Sequence, residues 1–377
     1  VILIASHPLL SGAVFSKMTY GLESLGVQIP RYVLALADLA EAYGVDRDKF
    51  HVGLGCHQMA LCLDTETVVD LAIGAAKRAM SHWSGDLEQI GLLAVGTETS
   101  LDEARPLSAF VAEGLSLSGK IRSYEVKHAC YGGTLALRQA IEWLASGAAR
   151  EGQVALVIAA DICLYPWRHP AECTQGAGAV AMIVGQPSLA GFSLETFPYS
   201  APSWDFWRPT GAAYPQIHAK QSVDAYCRAL CQCVEGFVET HGLERFLSLD
   251  RFCFHVPFPK MVVKAARALC QKLGLKEQDL QGVLAKITPG FSWNRQIGNA
   301  YTASLWISFA QVLGEMEAGQ TVGLFSYGSG FGSEFMTATV THEGTVPWVA
   351  QVCQDLETRE SIPYERYRVF RELRNGL

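Results

Sequence analysis

A cysteine stands where an extended run gives way to a helical pattern, in Glu125-Val126-Lys127-His128-Ala129-Cys130-Tyr131-Gly132-Gly133-Thr134. The helix that follows carries Leu137, Ile141, Leu144 and Ala148 on one stripe, so Cys130 is at or just before its N-terminus. Free N–H groups and the positive dipole end favour a thiolate there, and the glycines let a substrate carbonyl come close to the backbone. A buried structural cysteine is the bland alternative for any free thiol. Other polar residues at element ends bear on the choice. Glu98 follows the apolar run Ile90–Gly96, where a carboxylate can act as a base or merely cap the segment opening near Asp102. His255 follows Phe252-Cys253-Phe254, as a polarising ring or a satisfied strand-end histidine.

The elements that must position these residues occur twice in the same order. A helix pattern from Thr65 to Trp83 leads to a strand at Ile90–Gly96, then to Cys130 and its helix, a strand at Val154–Ala160 with a loop at Asp161, and a return strand at Gly178–Val184. In the second half a helix from Ser222 to Thr240 precedes a strand at Phe252–Phe254 that ends at His255. A break at Ile297-Gly298-Asn299 opens a helix with Leu305, Phe309 and Leu313. A strand at Val322–Phe325, a loop at Ser326–Gly330 and a return strand from Glu334 to Thr341 complete it. Cys130 to Asp161 is 31 positions and Asn299 to Ser329 is 30, which pairs Cys130 with Asn299 and Glu98 with His255 as equivalent points of a duplicated unit. Alternating helices and buried strands predict a layered α/β fold, and such a duplication brings matching strand ends together, where ligands bind.

Composition narrows the class. A chain of 377 residues that is 49% hydrophobic is expected to form two packed units, and a formal net charge of −7 argues against general nucleic-acid binding. Eleven cysteines, odd in number and scattered through apolar runs, read as reduced thiols of a cytoplasmic protein. Cys227, Cys231 and Cys233 share a helix without a second ligand pair and read as core, so no metal is expected. No segment has membrane length free of charges and breakers. The apparent first strand begins just after Met18, and residues 1–17 read as an extension of unknown role.

The chain resembles the 3-hydroxy-3-methylglutaryl-CoA synthase family of the thiolase superfamily. The matching stretches are Val95-Gly96-Thr97-Glu98, His128-Ala129-Cys130-Tyr131-Gly132-Gly133-Thr134, the run Thr174–Met182, Asp205-Phe206-Trp207-Arg208-Pro209-Thr210-Gly211, the run Phe254–Met261, Gly298-Asn299 with Tyr301–Leu305, and Phe325–Gly330. The resemblance implies a thiolase-like fold of two duplicated halves, 18–186 and 187–377, layered αβαβα. It implies that Cys130 takes up an acetyl group from a thioester, that Glu98 removes a proton from the acetyl methyl, and that His255 binds the β-ketoacyl acceptor. Asn299, Ser329 and Tyr165 would position the acceptor or the oxyanion. No cofactor is implied beyond the thioester substrates, and a homodimer is expected.

Pro259 can open a helix on which Lys260, Lys264 and Arg267 form a basic stripe just beyond His255. Such a stripe is usually a solvated face. Here it suggests an anchor for the phosphates of coenzyme A or of a carrier-protein phosphopantetheine, and the resemblance supports the two lysines. The segment Leu164–Pro170 and Cys173 depart from the family pattern and leave the acceptor open. The first reading is a polyketide β-branching synthase acting on acyl carrier proteins. The alternatives are the mevalonate-pathway enzyme using acetyl-CoA and acetoacetyl-CoA, and an inactive scaffold of the same fold. The run Arg366, Arg368, Arg371 and Arg374 reads as a surface helix or a partner contact.

Overall fold

The computed structural model describes residues 20–63 and 65–375, so the expected extension at 1–17 lies outside the described residues. The main sheet has ten strands. They are β1 (Gly21–Gln28), β2 (Ile90–Gly96), β3 (Arg122–Val126), β4 (Val154–Cys163), β5 (Gly176–Gly185), β6 (Ala190–Phe192), β7 (Phe197–Ser200), β8 (Arg251–Phe254), β9 (Thr321–Gly328) and β10 (Gly332–Val340). Their spatial order is β8-β9-β10-β6-β1-β5-β4-β2-β3, with β7 also paired to β10.

Two wings meet at the short antiparallel pair of β1 and β6, where Leu22 faces Ala190. Outward from β1, antiparallel pairs join β1 to β5 and β5 to β4, and a parallel pair joins β4 to β2. Outward from β6 the same sequence recurs through β10, β9 and β8. The first wing continues into β3, which has no counterpart. The repeated element order read in the sequence is therefore a repeated strand order.

Side-chain alternation along these strands sets the layers. The helices that matter are α1 (Val68–Ser81), α2 (Gly132–Ala145), α3 (Ala219–His241), α4 (Pro259–Lys272), α5 (Ser304–Leu313) and α6 (Tyr364–Asn375). From β2, Leu92 and Ala94 join a core containing Leu137 and Ile141 of α2 and Trp306 and Phe309 of α5. Leu93 and Val95 turn the other way, onto Leu71 and Ala75 of α1. In the second wing Leu324 enters the shared core, whereas Phe325 and Tyr327 pack toward Tyr226 of α3 and Val262 of α4. The result is the αβαβα layering of a thiolase-like fold, with α2 and α5 in the middle. All ten residues of α5 are buried, as a helix covered on every side requires. Truncating one of its large side chains, such as Phe309→Ala, would cost about 3–5 kcal/mol.

Local chemistry explains the helix starts. Thr67 and Asp70 form a reciprocal capping box ahead of α1. Pro259 opens α4, whose buried positions alternate with exposed Lys260, Lys264 and Arg267. A small sheet of Tyr32–Ala35, Gln58–Leu61 and Glu360–Ser361 packs with α6, joining Leu34 and Tyr367 in one cluster. Among the described residues no helix is long and apolar enough to cross a membrane.

Four expectations need correction. Asp161 is not in a loop but inside β4, which runs to Cys163. Ser326–Gly328 extend β9, because Tyr327 and Gly328 still pair with Ser333 and Gly332. Asn299 does not open a helix directly; a 3-10 turn at Tyr301–Ala303 intervenes before α5. The arginine run does lie on a helix, α6, but it is not simply a surface, since Arg371 is 0% exposed.

Candidate active site

Close backbone approaches bring the strand ends onto the turn that carries Cys130. A Cβ at Gly96 would sit 2.2 Å from the Gly133 nitrogen, so the end of β2 rests directly on the start of α2. A Cβ at Gly328 would sit 2.4 Å from the His128 carbonyl oxygen, so the end of β9 does the same from the other wing. Only glycine permits both contacts. Ala129, immediately before the cysteine, has φ of 43°, a left-handed conformation that costs a non-glycine residue about 1–3 kcal/mol. Tyr301 (φ 43°) and Arg168 (φ 64°) share that strained region and belong to the walls and flank of the same site.

The Cys130 thiol donates to Glu98 Oε1 at 3.3 Å. Burial, followed by the charges of Glu98 and Asp161, holds the thiol well above its ordinary value. The expectation of a resting thiolate is thus reversed. The helix end gives little help because its first N–H groups are already engaged: Gly132 donates to the Ala129 carbonyl at 3.1 Å and Gly133 to the Thr302 hydroxyl at 2.6 Å. Glu98 in turn is pushed upward, first by burial and then by Asp161. Asp161 is 0% exposed and ties the halves together. Its Oδ1 accepts from the Thr97 hydroxyl at 2.9 Å, the Glu98 N–H at 2.8 Å and the Thr99 hydroxyl at 2.7 Å, while Oδ2 accepts from the Thr302 N–H at 3.0 Å. Arg208 donates to the Glu98 carbonyl oxygen at 2.6 Å and fixes that segment from outside.

Cys130 lies at one side of a mainly apolar cavity of about 320 Å³, whose wall also includes His255, Asn299, Tyr165 and Ser329. His255 is 2% exposed, and burial depresses its ring to about 3, so the imidazole is neutral near pH 7. Its Nδ1 is buried without a hydrogen-bond partner among the described residues. Tyr226 donates to the His255 carbonyl oxygen at 2.6 Å and fixes the strand end. Asn299 Oδ1 accepts from the Tyr301 N–H at 2.9 Å and the Ser304 hydroxyl at 3.1 Å, which leaves the amide nitrogen as the donor for a ligand. Tyr165 is 5% exposed and packs with Cys163 and Tyr301 against Cys130.

The structure therefore gathers Cys130, His255, Asn299, Ser329 and Tyr165 around one cavity, with Glu98 joined to it through the Cys130 thiol and itself lining a small neighbouring pocket with Thr99 and Arg208. Lys260, Lys264 and Arg267 lie outside it. Lys260 is next to Met261 and Phe258 at the cavity wall, and its N–H donates to the Leu54 carbonyl oxygen at 3.0 Å. Among the described residues none of the three side chains forms an ion pair. Sequence reasoning gave no role to Asp161, Tyr301, Thr302, Tyr226 or Tyr327. A signal was present for Asp161, a carboxylate within an otherwise apolar strand, which must find partners when buried. Among the described residues no group of three or more His, Cys, Asp or Glu is placed to hold a metal ion.

Comparison with known proteins gives this geometry its context. The hydroxymethylglutaryl-coenzyme A synthase N-terminal family matches residues 17–188, and the corresponding C-terminal family matches 281–375. Hydroxymethylglutaryl-CoA synthase of Enterococcus faecalis is 35% identical over 324 residues, covering 85% of this chain and 82% of that protein. The structure of MvaS in complex with 3-hydroxy-3-methylglutaryl coenzyme A superposes with a TM-score of 0.86 at 34% identity, covering 93% of this chain and 91% of the other. The curacin biosynthetic HMG synthase in complex with acetyl donor-ACP gives a TM-score of 0.86 at 29% identity, with 94% and 89% covered. Similarity of this extent, across both halves and most of each partner, establishes that the chain belongs to the hydroxymethylglutaryl-CoA synthase family, acyltransferases that form carbon–carbon bonds.

Proposed function

We propose that the chain condenses an acetyl thioester with a β-ketoacyl thioester through an acetyl-Cys130 intermediate. The observation that carries this reading is the contact between the Cys130 thiol and Glu98 at the wall of a cavity that also presents His255 and Asn299. Cys130 attacks the acetyl carbonyl as its proton passes to the Glu98 carboxylate, and the donor thiol leaves carrying a proton. Glu98, deprotonated again, then takes a proton from the acetyl methyl. A carboxylate whose affinity for protons is raised is better matched to that weak carbon acid. The resulting carbon nucleophile adds to the β-carbonyl of the acceptor. The neutral His255 ring donates one N–H to that carbonyl oxygen, Asn299 supplies a second donor, and the alkoxide is protonated at the expense of the proton that Glu98 took from the methyl, which returns Glu98 to its carboxylate form. Water then cleaves the product from Cys130, leaving a free carboxylate and the regenerated thiol. Backbone N–H groups of Cys130 and Ser329 are assigned to the thioester oxyanion.

Coenzyme A as the thioester handle is supported by the 35% and 34% identity to the Enterococcus enzyme and MvaS, against 29% to the curacin synthase. The cationic stripe of Lys260, Lys264 and Arg267 would then meet its phosphates. A second reading, acyl carrier proteins, is supported by the exposure of the whole stripe, which runs ~10 Å along α4 from Lys260 to Arg267 and could meet an acidic protein face. The assembly is assigned as a homodimer, for which the outer edge of β3, unpaired within the sheet, is the support. Incubation with acetyl-CoA followed by intact-mass measurement tests the central step. One acetyl group should appear on Cys130 and none on a Cys130→Ala variant; acetylation of a different cysteine, or none in the unaltered chain, refutes the assignment.

A further inference from the structure

The loop from Leu164 to Pro170 supplies Tyr165 and His169 to the cavity wall, their rings stacked at 6.0 Å. Among the described residues this loop lies outside every strand and helix, between Cys163 at the end of β4 and the 3-10 turn at Glu172. Its main chain is held instead by side chains from elsewhere. The Tyr165 N–H donates to Gln175 Oε1 at 2.7 Å, and the Tyr165 carbonyl oxygen accepts from Arg371 Nη2. The Arg168 N–H, in its left-handed conformation, donates to Glu172 Oε2 at 2.8 Å.

These anchors form one buried network. Arg371 is 0% exposed and Glu172 is 1% exposed, with 3.4 Å between Nη1 and Oε1. Arg371 Nη1 also donates to Gln175 Oε1 at 2.9 Å and to the Tyr367 hydroxyl at 2.8 Å. That hydroxyl donates to Glu172 Oε1 at 2.6 Å and accepts from Gln175 Nε2 at 3.0 Å, while Tyr43 donates to Glu172 Oε2 at 2.8 Å. The Tyr367 hydroxyl thus gives one hydrogen bond and receives two, and both lone pairs of Gln175 Oε1 are used, so neither group has a spare direction in which to rotate. Gln175 is bridged along the backbone to Asn299, which links the network to the other side of the cavity.

We infer that Arg371 and Glu172 are positioning residues: through Gln175 they hold Tyr165 and His169 in the cavity wall and so set how the acceptor thioester is seated over Cys130. A buried ion pair adds little net stability relative to well-packed apolar groups, whereas a forked guanidinium with several partners fixes geometry. Among the described residues helix α6 makes no hydrogen bond to Cys130 or Glu98, and its hydrogen bonds toward the cavity go to this loop and to Gln175. The inference rests on Cys130 carrying the acyl group. Acetyl transfer needs only access to the thiol, but condensation needs two acyl groups aligned and water kept away. Loosening the loop should therefore act on the second step and let water intercept the acetyl-enzyme.

The test uses the full chain, its Arg371→Met variant, and a double variant, Glu172→Gln with Arg371→Met, in which no charge is left unpaired. Acetylation of Cys130 by acetyl-CoA, the ratio of acetyl-enzyme hydrolysis to condensation, and KM for acetoacetyl-CoA are measured beside the melting temperature. Expected are acetylation close to that of the unaltered chain, a higher acceptor KM, and a hydrolysis-to-condensation ratio raised by ~10–10²-fold, the effect of misplacing reacting groups from a distance. A folded double variant with an unchanged ratio overturns the inference, and so does a double variant that cannot fold, since the network is then structural. An unaltered chain that takes up no acetyl group on Cys130 overturns the underlying reading instead.

Discussion

Replacing Glu98 by Ala should separate the two half-reactions. With Cys130 Sγ and Glu98 Oε1 3.3 Å apart, full charges on both at an effective dielectric constant of ~20 would repel by about 5 kcal/mol. That is more than three pKa units, so an ionised Glu98 opposes the thiolate strongly. Deleting the carboxylate removes a proton acceptor and that repulsion together. The thiol then ionises more readily, and acetylation should persist and rise with pH. Condensation has no such compensation, since a proton on the acetyl methyl needs a base within reach; loss of a general base costs ~10²–10⁴-fold, about 3–5 kcal/mol of barrier. In the unaltered chain, burial and Asp161 raise the proton affinity of Glu98, so condensation should climb with pH above the usual carboxylate range. The assay is a rapid-quench measurement of acetyl-Cys130 formation beside product formation from acetoacetyl-CoA at several pH values. Equal losses of both half-reactions in Glu98→Ala would show that the carboxylate holds the site together and does not act as the carbon base.

Charge reversal at Lys264→Glu should raise KM for a carrier-bound acceptor, more at low salt, because exposed charges act over ~10 Å at 0.1 M ionic strength. A comparison of acetoacetyl-CoA with acetoacetyl carrier protein across a salt series decides the handle: harm to both alike supports coenzyme A, and harm confined to the carrier ester supports carrier proteins. For His255, burial lowers the ring from 6.5 to about 3, so its contribution to stability is present above 6.5 and is lost as the pH falls toward 3. A His255→Gln variant should therefore lose less melting temperature than the unaltered chain between pH 7 and pH 4, and should raise KM for the acceptor; identical acid sensitivity would show that His255 is not buried neutral.

By itself the sequence determined the strand and helix order, its duplication, and the placing of Glu98, Cys130 and His255 at the ends of apolar runs. These features are local: β2 and the Phe252–Phe254 part of β8 are continuous apolar segments, α1 carries its own capping box, and the amphipathic period of α4 separates Lys260 and Lys264 from its buried face. It also carried motifs long enough to identify the family. Tertiary structure alone decided the protonation of the site. A helix start predicts a thiolate, yet Asp161 arrives from β4 and Glu98 from just beyond β2, Thr302 from the opposite half takes the Gly133 N–H, and burial together with the two carboxylates favours the neutral thiol. It also decided the fate of Arg371, which belongs in sequence to a polar helix with the partly or fully exposed Arg366, Arg368 and Arg374 but is drawn inside, where Glu172, 199 positions earlier, offers a carboxylate. Electrostatic fields and buried hydrogen bonds depend on what lies within a few ångströms in space, and proximity along the chain records only a small part of that.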